Sequence, residues 1–193
     1  TFSALPVFVS NSKTLGFFEK LISAKAPIYI ILLGSVIFPA FLAVLRILSL
    51  FLFAYLFDPK SMEIIKIFEV LIVLIFSSIP FIGISMILCA LIIKFQNANF
   101  LNSLFLLGCS IFSGIFYPID VMPNYLQVLS YIFPSTFSVN IIRGRLLENL
   151  MLSELYADIL LIIFLGTIYI LIGIFSLNEA LNYAKQNGTT SQF

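Results

Sequence analysis

Two ionisable side chains, Arg46 and Glu69, lie within long apolar runs of this 193-residue chain. An ionisable group inside a bilayer costs about 2.5–3.5 kcal/mol on insertion scales, so each needs an opposite charge, a carbonyl or water. The chemistry open to them is an internal ion pair or a contact along a solute pathway. Counting back from the polar turn at 58–60, both fall in the outer part of antiparallel neighbours, and they are expected to approach each other. Arg143 and Arg145 follow a proline-rich stretch and either meet an anionic headgroup or stay solvated. Catalysis finds little to work with. The chain has no histidine, and Cys89 and Cys109 both sit inside apolar runs. Neither a catalytic set nor a metal-ligating set is assembled. A Gly-rich loop with Lys-Ser/Thr is also lacking, so the chain cannot itself hydrolyse ATP.

These residues must be positioned in a membrane. Of the residues 61% are hydrophobic and 10% charged, against about 45–50% and about 25% in a soluble domain. With Lys+Arg 10 and Asp+Glu 9, no basic excess exists to neutralise nucleic acid. A barrel strand needs about 10 residues in strict alternation. The apolar runs here are far longer and do not alternate. The fold class is therefore an all-α integral membrane protein.

The whole of 1–193 reads as a single transmembrane domain, beginning at Thr1 within apolar sequence. Residues 1–10 are too short to span and look like the end of a helix that starts upstream, so the chain is expected to be N-terminally incomplete. Residues 11–26 carry Lys13, Lys20 and Lys25 against Glu19, with Asn11 or Ser12 as a candidate cap. Phe17, Phe18, Leu21 and Ile22 fall on one face, as in a short amphipathic basic helix. The Lys/Arg rule puts it in the cytoplasm. Spans follow at 27–57, at 61–93 with a kink or loosened backbone near Pro80, at 98–117 and at 157–177. A polar cytoplasmic tail closes the chain at 178–193. The glycines of the later spans, among them Gly108, Gly166 and Gly173, are of the kind that permit close helix packing.

Residues 121–142 have two readings. Their 22 uncharged residues suffice to span. Yet Pro123, Pro134 and seven polar side chains fit a helix-break-helix hairpin better, and such backbone survives at membrane depth only when buried in protein or lining water. The hairpin puts five Lys/Arg inside and four outside; a full span puts six inside and three outside. The charge rule thus mildly favours the full span, whereas the prolines and polar residues favour a re-entrant hairpin over 118–147.

At this point the sequence resembles the permease subunit of ABC-2 type ABC exporters. Three stretches carry the likeness. Lys13-Thr-Leu-Gly-Phe-Phe-Glu-Lys-Leu-Ile-Ser-Ala-Lys-Ala-Pro27 is similar to the family's cytoplasmic segment ahead of a span, with Gly34 following. Residues 112–143 hold the family's glycine, prolines and arginine in order: Gly114, Pro118, Pro123, Pro134 and Arg143. Gly173-Ile-Phe-Ser and Ala184-Lys-Gln-Asn-Gly188 resemble its closing stretch. Two departures stand out: Asn11-Ser-Lys13 replaces the usual Glu and Arg ahead of the threonine, and Gly16 follows Leu15 directly.

The resemblance implies four complete spans plus the end of another, a cytoplasmic coupling helix and an extracytoplasmic re-entrant hairpin. It implies partners as well: an ATP-binding cassette subunit holding ATP and Mg, a second permease subunit, and the lipid of the cytoplasmic membrane. Coupling would run through Phe17, Phe18, Glu19, Lys20, Leu21 and Ile22. The outer gate would be built from Gly114, Tyr117, Pro118, Pro123, Pro134 and Arg143. The cargo would be hydrophobic or amphipathic, of drug, lipid or glycan class. The alternative is a secondary transporter or channel that works without an ATPase, to which broken segments near Pro80 and over 121–142 are equally suited.

Overall fold

The computed structural model describes residues 3–15, 28–57, 64–95, 99–117, 119–148, 150–151 and 153–187. Among these residues the regular structure is helical throughout: α1 (Ala4–Thr14), α2 (Ile28–Phe57), α3 (Ile64–Lys94), α4 (Asn99–Phe112), α5 (Asn124–Ser130), α6 (Pro134–Leu146) and α7 (Tyr156–Asn187). A 3-10 turn at Ile119–Val121 precedes α5. Three helices are long and apolar enough to cross a membrane, over Gly34–Phe57, Lys66–Lys94 and Tyr156–Ala184. In lipid a helix satisfies every backbone polar group internally, so uninterrupted apolar sequence takes this form.

The framework is a pair, α3 and α7, in contact along much of their length. Gly83 allows it: a Cβ there would lie 2.4 Å from the Tyr169 carbonyl carbon. At Gly173 it would stand 2.7 Å from the Gly83 oxygen, and at Gly166 3.4 Å from Cδ of Pro80. Glycine removes the one group that would hold the backbones apart. Contacts advance along both helices together, from Pro80 with Gly166 to Lys94 with Glu179. The two helices are therefore parallel. The chain between them runs from the Lys94 end to the Glu69 end, a net single passage, whereas α4 followed by a full crossing over 121–142 would bring it back to the Lys94 end.

Two apolar clusters fix the ends of this pair. At the Lys94 end, Leu5 and Val9 of α1 pack with Cys89, Ala90 and Ile93 of α3 and Leu177, Ala180 and Leu181 of α7. At the Glu69 end, Val73 packs with Phe137 and Ile141 of α6 and with Leu155 and Ile162. By contrast α2 exposes Ile37, Phe38, Phe41, Leu45, Leu52 and Phe53, an apolar surface suited to lipid or to another apolar helix.

Several boundaries differ from those read in the sequence. Asn11 and Ser12 do not open a new helix: α1 continues to Thr14, and the Ser12 hydroxyl donates 2.8 Å to the Phe8 carbonyl. The expected kink zone holds Pro80 inside an unbroken α3, with its side chain buried against Gly166. The third expected span is shorter, since α4 has 14 residues. At 1.5 Å per residue that is about 21 Å, less than a hydrocarbon core of about 30 Å. It ends where Gly114 takes φ +76°, outside the right-handed helical region. The last helix is longer, running through 178–187, because Ala180, Leu181 and Ala184 are still buried there and Glu179 pairs with Lys94.

Candidate functional site

The segment after Gly114 is a short helix, a turn and a second helix, and its prolines open both helices. Pro123 (φ −56°, ψ 145°) is the N-cap of α5, and Pro134 is the first residue of α6. A proline at a helix start gives up no intrahelical bond, because that N–H would be unsatisfied anyway. Phe133 at the tip stacks on Phe112, with ring centroids 5.5 Å apart, and reaches Gly108 of α4 at 3.1 Å from an added Cβ. The Tyr169 hydroxyl of α7 donates to the Ile132 carbonyl at 2.7 Å. Tyr169 also abuts Gly83, so the turn reaches the middle of the α3–α7 pair rather than resting on its end.

Its polar side chains account for that depth. The Thr136 hydroxyl is buried, 2.7 Å from the Ser130 carbonyl and 3.2 Å from the Phe112 carbonyl, and donates to either. Ser130 donates to the Leu126 carbonyl at 3.1 Å, Ser138 to that of Pro134 at 3.0 Å, and Gln127 to that of Met122 at 2.8 Å. A carbonyl released by broken helix costs little once a hydroxyl serves it.

Of the expected gate residues, Gly114 and Arg143 are brought together. The Arg143 guanidinium donates to the Gly114 carbonyl at 2.9 Å, joining positions 29 apart. An added Cβ on Gly114 would stand 3.1 Å from Ile119. Pro134 is buried, Pro123 and Tyr117 are exposed, and Pro118 lies outside the described residues. The coupling residues Phe17, Phe18, Glu19, Lys20, Leu21 and Ile22 lie outside them too.

The expected approach of Arg46 to Glu69 is not what forms. Glu69 pairs with Arg145 of α6, whose other guanidinium nitrogen donates to the Leu150 carbonyl at 3.2 Å. Arg46 stands exposed on α2 and has no ion pair among the described residues. The reason is the packing: α6, not α2, lies against the first half of α3. The sequence offers Arg145 as a contact to an anionic headgroup or as a solvated charge, and the structure gives it Glu69. Nothing in the spacing announced a partner 76 residues away.

At the opposite end, Lys13 stands where α1 runs out. Its ammonium donates to the Ile92 and Ile93 carbonyls at 2.7 and 2.9 Å. These belong to the last turn of α3, whose carbonyls have no intrahelical donor and carry the negative end of the helix dipole. Burial pushes the Lys13 amine below its ordinary pKa. Beside it, Lys94 pairs with Glu179 at 2.6 Å, joining α3 to α7.

Long apolar helices, a parallel pair in backbone contact and a polar hairpin reaching mid-bundle define the class: a helical membrane protein. The family model for ABC-2 type transporters matches residues 1–147, so the chain belongs to the ABC-2 transporter membrane family. That family is a permease family, and the protein is accordingly a transport protein of the membrane. No curated protein and no solved structure gives a match to this chain.

Proposed function

We propose that this chain is the membrane-spanning subunit of an ATP-driven exporter in the cytoplasmic membrane. It moves a hydrophobic or amphipathic solute, is paired with a second permease subunit, and is driven by a separate ATP-binding subunit that holds ATP and Mg. Family membership supports the class. The observation that carries the coupling is Lys13 on the terminal carbonyls of α3. The chain enters the basic 11–26 segment tied to the α3–α7 pair, so a displacement of that segment by a docked ATPase is passed directly to two spans. An amphipathic helix seated in a groove holds through its apolar side chains, which assigns anchoring to Phe17, Phe18, Leu21 and Ile22, flanked by Glu19 and Lys20.

At the other end, the hairpin is the outer closure of the pathway. The Gly114–Arg143 bond holds it closed at its base, Pro123 and Pro134 set its bends, and Tyr117 stands at its mouth. The parallel run of α3 and α7 supports the re-entrant reading over a full span. A transporter or channel without an ATPase loses one of its supports, since α3 is not broken at Pro80.

The test is cross-linking in native membranes through Lys13, Lys20 and Lys25, read by mass spectrometry. A soluble P-loop ATPase attached to these lysines is the expected outcome. Attachment only to lipid-embedded proteins, with transport independent of ATP, would overturn the reading.

A further inference from the structure

A cavity of about 470 Å³ opens at the Glu69 end, between α6, the start of α7 and the loop joining them. Its walls bring Asn140 and Arg143 from α6 to face Glu148 of the loop and Asp158 of the first turn of α7. Leu150 and Leu155 supply an apolar side. The loop is tied in place: the Leu150 N–H donates to the Gly144 carbonyl at 3.0 Å, and Arg145 holds the Leu150 carbonyl.

The opposite charges here share a cavity without closing on one another. Among the described residues, ion pairs join Lys94 to Glu179 and Arg145 to Glu69, leaving Glu148 and Asp158 without a cation. One Arg143 nitrogen is used by Gly114, and the other N–H groups remain free to donate. A guanidinium on one wall and two carboxylates on another match a small group that carries both signs. The volume falls within the range of about 300–1,000 Å³ usual for small-molecule sites.

We propose that this cavity binds the head of a zwitterionic phospholipid bearing a primary ammonium. Arg143 and Asn140 face its phosphate, Glu148 and Asp158 receive its ammonium, and Leu150 and Leu155 meet the start of its apolar part. A primary ammonium donates charge-assisted hydrogen bonds to carboxylates, which a quaternary one cannot do. The site opens beside the first turn of α7, one end of a membrane-length helix, the level at which lipid heads lie. It requires no assumption about which solute is exported.

Native mass spectrometry of the purified chain in detergent, with short-chain phosphatidylethanolamine, phosphatidylcholine and phosphatidylglycerol, tests this. Phosphatidylethanolamine should bind most tightly. The double variant Glu148→Gln/Asp158→Asn should weaken it about tenfold, to the level of phosphatidylcholine, while Glu179→Gln leaves it unchanged. On the unmodified chain, phosphatidylethanolamine should protect Glu148 and Asp158 from carbodiimide labelling, and phosphatidylglycerol should not. This second readout stands even where the double variant fails to fold. Equal binding of the three lipids, or labelling indifferent to them, would overturn the proposal. So would soluble phosphoethanolamine binding as tightly as the lipid.

Discussion

The two ends of the α3–α7 pair are closed by different kinds of polar contact. At the Lys94 end, Lys94 and Glu179 meet with their side chains 30% and 58% exposed, and Lys13 leans on carbonyls that any cation or water could serve. At the Glu69 end, Arg145 and Glu69 are 13% and 24% exposed, and the hairpin that packs there is held by Thr136 and Arg143, which bind carbonyls on other segments from partly or fully buried positions. An exposed ion pair contributes about 0–1 kcal/mol, whereas removing one member of a fully buried pair costs about 3–5 kcal/mol because its partner is left uncompensated; the partly buried Arg145–Glu69 pair belongs toward the lower end of that second range. The hairpin end is thus fastened and the other end lightly latched. That division fits the proposed function, in which one end is driven and the other closes the pathway.

The contrast can be broken by substitution, and the largest effect is expected at Glu69. Glu69→Ala should cost about 3 kcal/mol in thermal or denaturant unfolding in detergent, and the exchange Glu69→Arg/Arg145→Glu should recover part of it. A loss no larger than that of Glu179→Ala would mean the ends do not differ. Thr136→Val, nearly unchanged in shape, should cost about 1–2 kcal/mol by stranding buried carbonyls, and protease access around Tyr131 should rise with it. Gly114→Ala should cost about 1–2 kcal/mol, because a side chain is strained at positive φ. Its companion Arg143→Lys should be milder if the bond to the Gly114 carbonyl is what matters. Glu179→Ala is expected to change stability by less than about 1 kcal/mol, an effect that added salt should diminish further.

Much of this was legible in the sequence because bilayer physics is strict. Long uncharged runs must be helices, and prolines among polar residues in 121–142 signal broken backbone. The family likeness over 112–143 rests on those same residues. What could not be read were pairings set by tertiary packing. Sequential spans are usually neighbours, which makes Arg46 and Glu69 the expected partners, but α6 occupies that flank of α3 and brings Arg145 instead. Glu148 and Asp158 carry no signal of their own in the sequence; only the fold brings them to one cavity with Arg143. The short α4 was hidden as well: 98–117 has the composition of a span, and only the left-handed turn at Gly114 ends the helix early.

The backbone contact of α3 with α7 also sets a timetable for biogenesis. Gly83 has no Tyr169 to pack against, and Glu69 no Arg145, until many more residues have been translated; the latter two are 76 positions apart. At ribosomal speeds of about 5–20 residues per second, α3 waits roughly 4–15 s with a bare groove and an unneutralised carboxylate. During that interval the insertion machinery or a lipid must shelter it. A ribosome stalled between these positions would leave a half-assembled bundle exposed to membrane proteases.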